Sequence, residues 1–225
     1  MPEKVTWIKA SRLVLDSDLW PRQDMQAYDK NSIVEALQAG AKLPPIIIDK
    51  KTKKVVDGFH RTEAYRKLYG PDAKIPCIMR VYANQSDMYV DAMALNNAHG
   101  KKLTEHDKVR CLIRAEELGI DTETTARALN MTVESLGKIK TQRLGYFHTK
   151  PVALKGTTSY LAGGELTAEQ MSANRQAAGR PATFYIQQVI NLLEADALDL
   201  ENEKVVKSLH RLHELLDDTL SPIQA

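Results

Sequence analysis

The chain has 225 residues, 43% of them hydrophobic and 27% charged, which suits a soluble globular protein with one large core or two smaller ones. Net charge is +2 and the pI is near 8.4, so the molecule is no polycation, and any nucleic-acid affinity must come from local patches. The cysteines Cys77 and Cys111 belong to no CxxC pair, which excludes a zinc ribbon or dithiol redox motif and predicts buried thiols.

The N-terminus, MPEKVTWIKASRL, has no apolar signal-peptide core, and no apolar run approaches the length of a membrane span. The expected location is the cytoplasm. VTWIKASRLVL is short and β-rich. DKNSIVEALQAGAK predicts a helix capped at Asn31 or Ser32, with Ile33, Val34 and Leu37 at helical spacing and Gly40 as its stop. LPPIIIDKKTKKVVDG predicts two strands joined by a lysine-rich hairpin whose tip is most simply solvated. TEAYRKLYGPDA predicts a helix ended by Gly70-Pro71, and IPCIMRVY a further strand. Residues 1–90 are therefore expected to form an α+β domain.

From about residue 86 the strand signals stop. SDMYVDAMALNNAHG reads as a helix, and LTEHDKVRCLIRAEELGI as another, capped by Thr104 with an apolar stripe through Val109, Leu112, Ile113 and Leu118. In TETTARALNMTVESLGKIKT a first short helix turns Ala126 and Leu129 inward. Asn130 sits at the tight turn, where it tolerates a left-handed conformation, Thr132 caps the second helix, and Leu136 and Ile139 supply its buried face. This is helix-turn-helix spacing, and it predicts an all-α DNA-binding domain over residues 91–148. The second helix would offer Thr132, Val133, Glu134, Ser135, Lys138, Thr141 and Gln142 to DNA, with Lys140 and Arg143 as flanking phosphate contacts. The plainer alternative is a helical hairpin with solvated lysines. Residues 149–183 read as a linker with short helices, and 184–225 as amphipathic C-terminal helices whose Leu192, Leu193, Leu209, Leu212 and Leu216 suit a core or a dimer seam.

The segment VVDGFHRTEAY, residues 55–65, runs from strand through Gly58 into a helix. Asp-Gly is a common hairpin signal, but a strand, a glycine and a helix start also gather free backbone N–H groups where an anion can sit. His60 and Arg61 would add donors there. His99 with His106, and His210 with His213, find no Cys or carboxylate at metal-ligand spacing and read as surface or interface histidines.

GFHRTEA resembles the Gly-Glu-Arg-Arg-x-x-Ala box of ParB-type partition proteins, matching at Gly58, Arg61 and Ala64 and departing at Phe59 and His60. Upstream, WPRQDMQAYDKNSIVEALQAGAKLPPIII resembles that family's first box, with Pro21-Arg22, a helix, Gly40 and Pro45 in order. Downstream, LNNAHGKKLTEHDK resembles the third box, Glu-Asn-x-x-Arg-x-x-Leu, matching at Asn97 and Leu103 and departing at Asn96 and Gly100. The resemblance runs over roughly residues 8–145 in family order. It implies a ParB/sulfiredoxin-like α+β domain, a helix-turn-helix that binds double-stranded DNA, and a C-terminal dimerisation segment. It also implies a nucleoid-associated protein of partition or transcriptional control, a homodimer, with a partition ATPase as a further partner. The family's nucleotide is CTP with a divalent ion. Carried over, Arg22, Gly58, His60, Arg61 and Asn97 would hold CTP or ATP, and Asn97 the Mg2+. Sulfiredoxins carry a similar Gly-Cys-His-Arg box, but Phe59 stands where their reactive cysteine must be, and a benzyl group is no nucleophile. A branch of small-molecule kinases has an Asp-Gly-x-His-Arg box, which Asp57 to Arg61 satisfies. Phosphotransfer with Asp57 or Glu63 as base is thus the rival reading.

Overall fold

The computed structural model describes residues 3–22, 27–98, 102–177 and 182–220, and divides into two units, Met1–Gly179 and Arg180–Ala225. The first unit is built on a mixed sheet of β1 (Val5–Lys9), β2 (Ile46–Asp49), β3 (Val55–Asp57) and β4 (Lys74–Arg80), ordered β1-β4-β2-β3. β2 runs parallel to β4, and the two outer pairings are antiparallel. Side chains alternate across the sheet. Ile46, Ile48 and Val55 join Ile8, Ile75, Cys77 and Phe59 in one core, whereas Ile47 and Val56 point into another.

On the first face lie α1 (Ala27–Gln38) and α2 (Phe59–Tyr69), joined through Val34, Leu37 and Ala64. α1 begins before Asn31 and Ser32, so neither is the N-cap the sequence suggested. The amide of Asn31 instead accepts a hydrogen bond from Lys67 at 2.9 Å. Gly40 and Gly70 close their helices at φ +81° and +78°, as expected of residues without a Cβ. Arg66 ties α2 to the first strand's exit by donating to the carbonyls of Ala10 and Leu13 at 3.0 and 2.7 Å.

The second face is covered by α3 (Gln85–Ala98), through Met88, Tyr89, Ala92 and Met93. That core does not stop at the sheet. It continues through Leu112 and Ala115 of α4 (Glu105–Glu117), Ala126 of α5 (Thr122–Ala128) and Leu136 of α6 (Val133–Arg143). The boundary expected at residue 90 therefore falls inside α3. α4 starts with the expected cap: Thr104 and Asp107 form a capping box.

Where a linker with short helices is expected over 149–183, the described residues up to 177 hold a hairpin strand as well as a short helix. Leu144–Phe147 (β5) and Lys150–Ala153 (β6) form an antiparallel hairpin, followed by a 3-10 turn at Gly156–Leu161 and α7 (Ala168–Gln176). Its turn residues, His148 and Thr149, both adopt positive φ, +48° and +63°, without the Asn-Gly that usually announces such a turn. Asn174 fastens the region: its amide donates to Ala153 O at 3.0 Å and accepts from Lys155 N and Thr158 Oγ1 at 2.9 and 2.7 Å. The buried Lys155 ammonium donates to the carbonyls of Arg175 and Ala177, where the helix dipole favours a cation.

The second unit holds α8 (Ala182–Glu194) and α9 (Glu203–Leu220). Among its described residues none is buried, and Ile186, Leu193, Leu215 and Leu216 are exposed. No described helix is long and apolar enough to cross a membrane.

Candidate nucleic-acid interface

Three small local rules set the position of α6. Asn130 takes φ +52°, turning the chain sharply after α5. The Thr132 hydroxyl accepts from Ser135 N at 3.1 Å and so caps the new helix. Leu136 is fully buried opposite the small Ala126, which lets the two helices approach. With Leu136 inward, Thr132, Val133, Glu134, Ser135, Lys138, Thr141 and Gln142 are all exposed. Within this face Lys138 pairs loosely with Glu134 at 2.8 Å, both side chains well exposed.

Lys140 and Arg143 are placed differently from the expected free phosphate contacts. Lys140 Nζ donates to Glu116 Oε1 and Arg143 Nη2 to Glu105 Oε2, each at 2.6 Å. Both cations brace α6 on α4. The sequence reading missed Glu105 and Glu116; their separation of eleven residues, three helical turns, puts them on one side of α4 and was the available signal.

At the opening box, Gly58 stands at the start of α2 with φ +102°, and a Cβ there would lie 2.5 Å from Ile46 Cγ2. The glycine is thus required by packing against the sheet. Arg61 does not reach outward. Its Nη1 donates to the carbonyls of Pro44 and Pro45 at 2.7 and 3.0 Å, and its Nη2 to Asp57 Oδ2 at 2.6 Å. As placed, the guanidinium does not present an open fork to a phosphate. The two candidate bases are also in ion pairs, Asp57 with Arg61 and Glu63 with Arg66 at 3.2 Å.

The three boxes do converge around residues 20–22. Trp20 packs against Phe59 with the rings tilted, 4.7 Å between centroids, and meets His60 edge-on at 5.2 Å. Phe59, the departure from the ParB pattern, is a buried core residue. Arg22 Nη2 donates to Asn96 O at 3.4 Å, and the Cys111 thiol to Pro21 O at 3.6 Å. Burial pushes the Cys111 thiol up to about 12 and the Cys77 thiol up to about 11, so both buried cysteines stay protonated. Asn97, expected at a nucleotide and its metal, donates its amide to Leu129 O at 2.8 Å, in the turn before α6. His99 and Gly100 lie outside the described residues.

No family model matches the chain. It is 33% identical over 97 residues to the transcriptional regulator NovG of Streptomyces niveus, a match spanning 43% of this chain and 30% of NovG. The chain thus spans under a third of that relative's length. Among solved structures it is similar to the C-terminally truncated chromosome-partitioning protein ParB of Caulobacter crescentus complexed to the centromeric parS site, at 14% identity and a TM-score of 0.43, covering 60% of this chain and 69% of that one. The same ParB complexed with CTP-gamma-S gives a TM-score of 0.38 at 14% identity, covering 60% and 76%. These are members of the family whose boxes the sequence resembles.

Proposed function

We propose that this is a ParB-like DNA-binding protein of partition or transcriptional control, in which α5 and α6 act as a helix-turn-helix and α6 enters the major groove. The observation carrying this reading is the outward face of α6: six polar residues and Val133, from Thr132 to Gln142, exposed on a helix anchored from behind by Leu136. The relative NovG, a transcriptional regulator, agrees with it. In this reading Thr132, Val133, Ser135, Lys138, Thr141 and Gln142 face base edges. Lys140 and Arg143 contact phosphate once they leave Glu116 and Glu105.

Selection of bound sequences from a random duplex pool identifies the site. With that site in hand, Lys138→Ala and Thr141→Ala should each weaken specific binding by about 1–3 kcal/mol while changing binding to bulk DNA far less. Equal loss on both would remove α6 as the reading element.

The exposed apolar side chains of α8 and α9 suit a homodimer, which would present two copies of α6 to an inverted repeat. Sedimentation of the full chain should give a dimer, and Leu193→Glu with Leu216→Glu a monomer.

A nucleotide, CTP or ATP with Mg2+, is the second part of the reading, held at Gly58, His60 and Arg61 with Arg22 and Asn97 nearby. It requires Arg61 to exchange Asp57 and two proline carbonyls for phosphate oxygens. Calorimetry with CTP, ATP and GTP plus magnesium, with the selected DNA present, tests this; no heat with any of them retires it.

A further inference from the structure

Two neighbouring stripes of α4 serve different purposes. Glu105, Val109, Leu112 and Glu116 turn towards α6 and the cores. One residue further on, His106, Arg110, Ile113 and Glu117 repeat the same spacing and form one wall of a cavity of about 350 Å3. Trp20, Tyr89, Ala153 of β6 and Arg175 of α7 are also part of its lining. The volume falls within the range of small-ligand sites, roughly 300–1,000 Å3. None of Arg22, Gly58, His60, Arg61 or Asn97 lines it, so it is separate from the opening box.

Its charge is unbalanced. Arg114, also in the wall, is neutralised by Glu117 at 2.8 Å and Asp18 at 3.3 Å. Arg110 and Arg175 form no ion pair among the described residues. Arg110 Nη1 and Arg114 Nε are enclosed and have no hydrogen-bond acceptor among the described residues. An enclosed guanidinium nitrogen without an acceptor is costly, roughly 1–3 kcal/mol, so a small side-chain rotation that meets an anionic acceptor would be favoured. Trp20, Ile113, Pro151 and Met171 add apolar wall beside these donors.

We propose that this cavity binds a small organic anion, one carboxylate or phosphate group on an aromatic body, with Arg110 as its main contact and Arg175 closing over it from α7. A guanidinium fork suits either oxyanion, and the apolar wall suits a ring.

The test uses the full chain, 15N-labelled, titrated with benzoate, phenyl phosphate, inorganic phosphate and benzyl alcohol. At least one aryl anion should shift resonances of α4, β6 and α7 saturably below about 10 mM, with inorganic phosphate weaker and benzyl alcohol inert. Whichever aryl anion binds more tightly identifies the headgroup. Arg110→Met, which keeps the apolar stem, should weaken binding by about ten-fold or more. Arg175→Met, at an exposed position, serves should Arg110→Met not fold, and should weaken it by about three-fold or more. The proposal is overturned by an absence of saturable shifts with both aryl anions, by benzyl alcohol binding as well as they do, or by wild-type affinity in the folded variants.

Discussion

The side-chain amide of Asn97 donates to the backbone carbonyl of Leu129 over 2.8 Å, fastening the end of α3 to the turn that precedes α6. The residue that resemblance would give to a nucleotide and its metal is here a strut under the proposed reading helix. Asn97→Ala should therefore cost about 1–2 kcal/mol of stability with no nucleotide present, as expected for a half-buried carbonyl losing its donor. Urea melts of the two proteins check this. An unchanged midpoint would show that the bond carries no weight.

The pairs Arg143–Glu105 and Lys140–Glu116 engage two cations of α6 in partly exposed contacts with α4. Replacing both carboxylates, Glu105→Gln with Glu116→Gln, should change stability by less than about 1 kcal/mol, because such pairs are partly exposed. It should nonetheless tighten binding to bulk DNA and steepen its salt dependence by up to about two phosphate contacts. An unchanged slope would mean that neither cation reaches DNA.

Burial pushes the His106 imidazole down to about 4 from its ordinary 6.5, with Arg110 and Lys155 adding to the effect and Asp107 opposing it. Because the folded state resists the proton, the unfolded chain takes it up first as pH falls. The contribution is fully present above about 6.5 and is lost as pH drops towards 4. Between these values the wild type should lose about 1–2 kcal/mol more stability than His106→Gln. Parallel pH profiles would contradict this.

Gly58→Ala would force a Cβ to within 2.5 Å of Ile46 Cγ2 at a φ of +102°. Strain and overpacking together should cost about 2–4 kcal/mol. In an Ile46→Ala background the cost should fall by about 1 kcal/mol or more, since the clash is relieved. Additive costs would place the requirement for glycine elsewhere, for example in ligand binding.

What the sequence makes legible here is local. Ala126, Asn130, Thr132 and Leu136 lie within eleven positions, and each obeys a rule of its own turn or helix, so the two short helices and their joint were readable. The β5–β6 hairpin was not, because His148 and Thr149 take left-handed conformations that their side chains do not advertise. The fate of Arg61 was also hidden. Its partners Pro44 and Pro45 sit seventeen and sixteen residues away, and only the closure of α2 onto β2 brings those carbonyls within reach. Likewise Arg143 meets Glu105 across 38 residues, a distance no helical periodicity spans.

The apolar core that runs unbroken from Ile47 through Met93 and Leu112 to Leu136 makes sheet and helices a single thermodynamic object. A fragment ending after α3 would bare the flanks of Met93 and Ala92 to water, and one beginning at α4 would lose the floor beneath Leu112. Either half alone would keep only part of this core. A substitution of α6 by another helix must therefore carry its supporting seam along, or sacrifice the stability of the sheet itself.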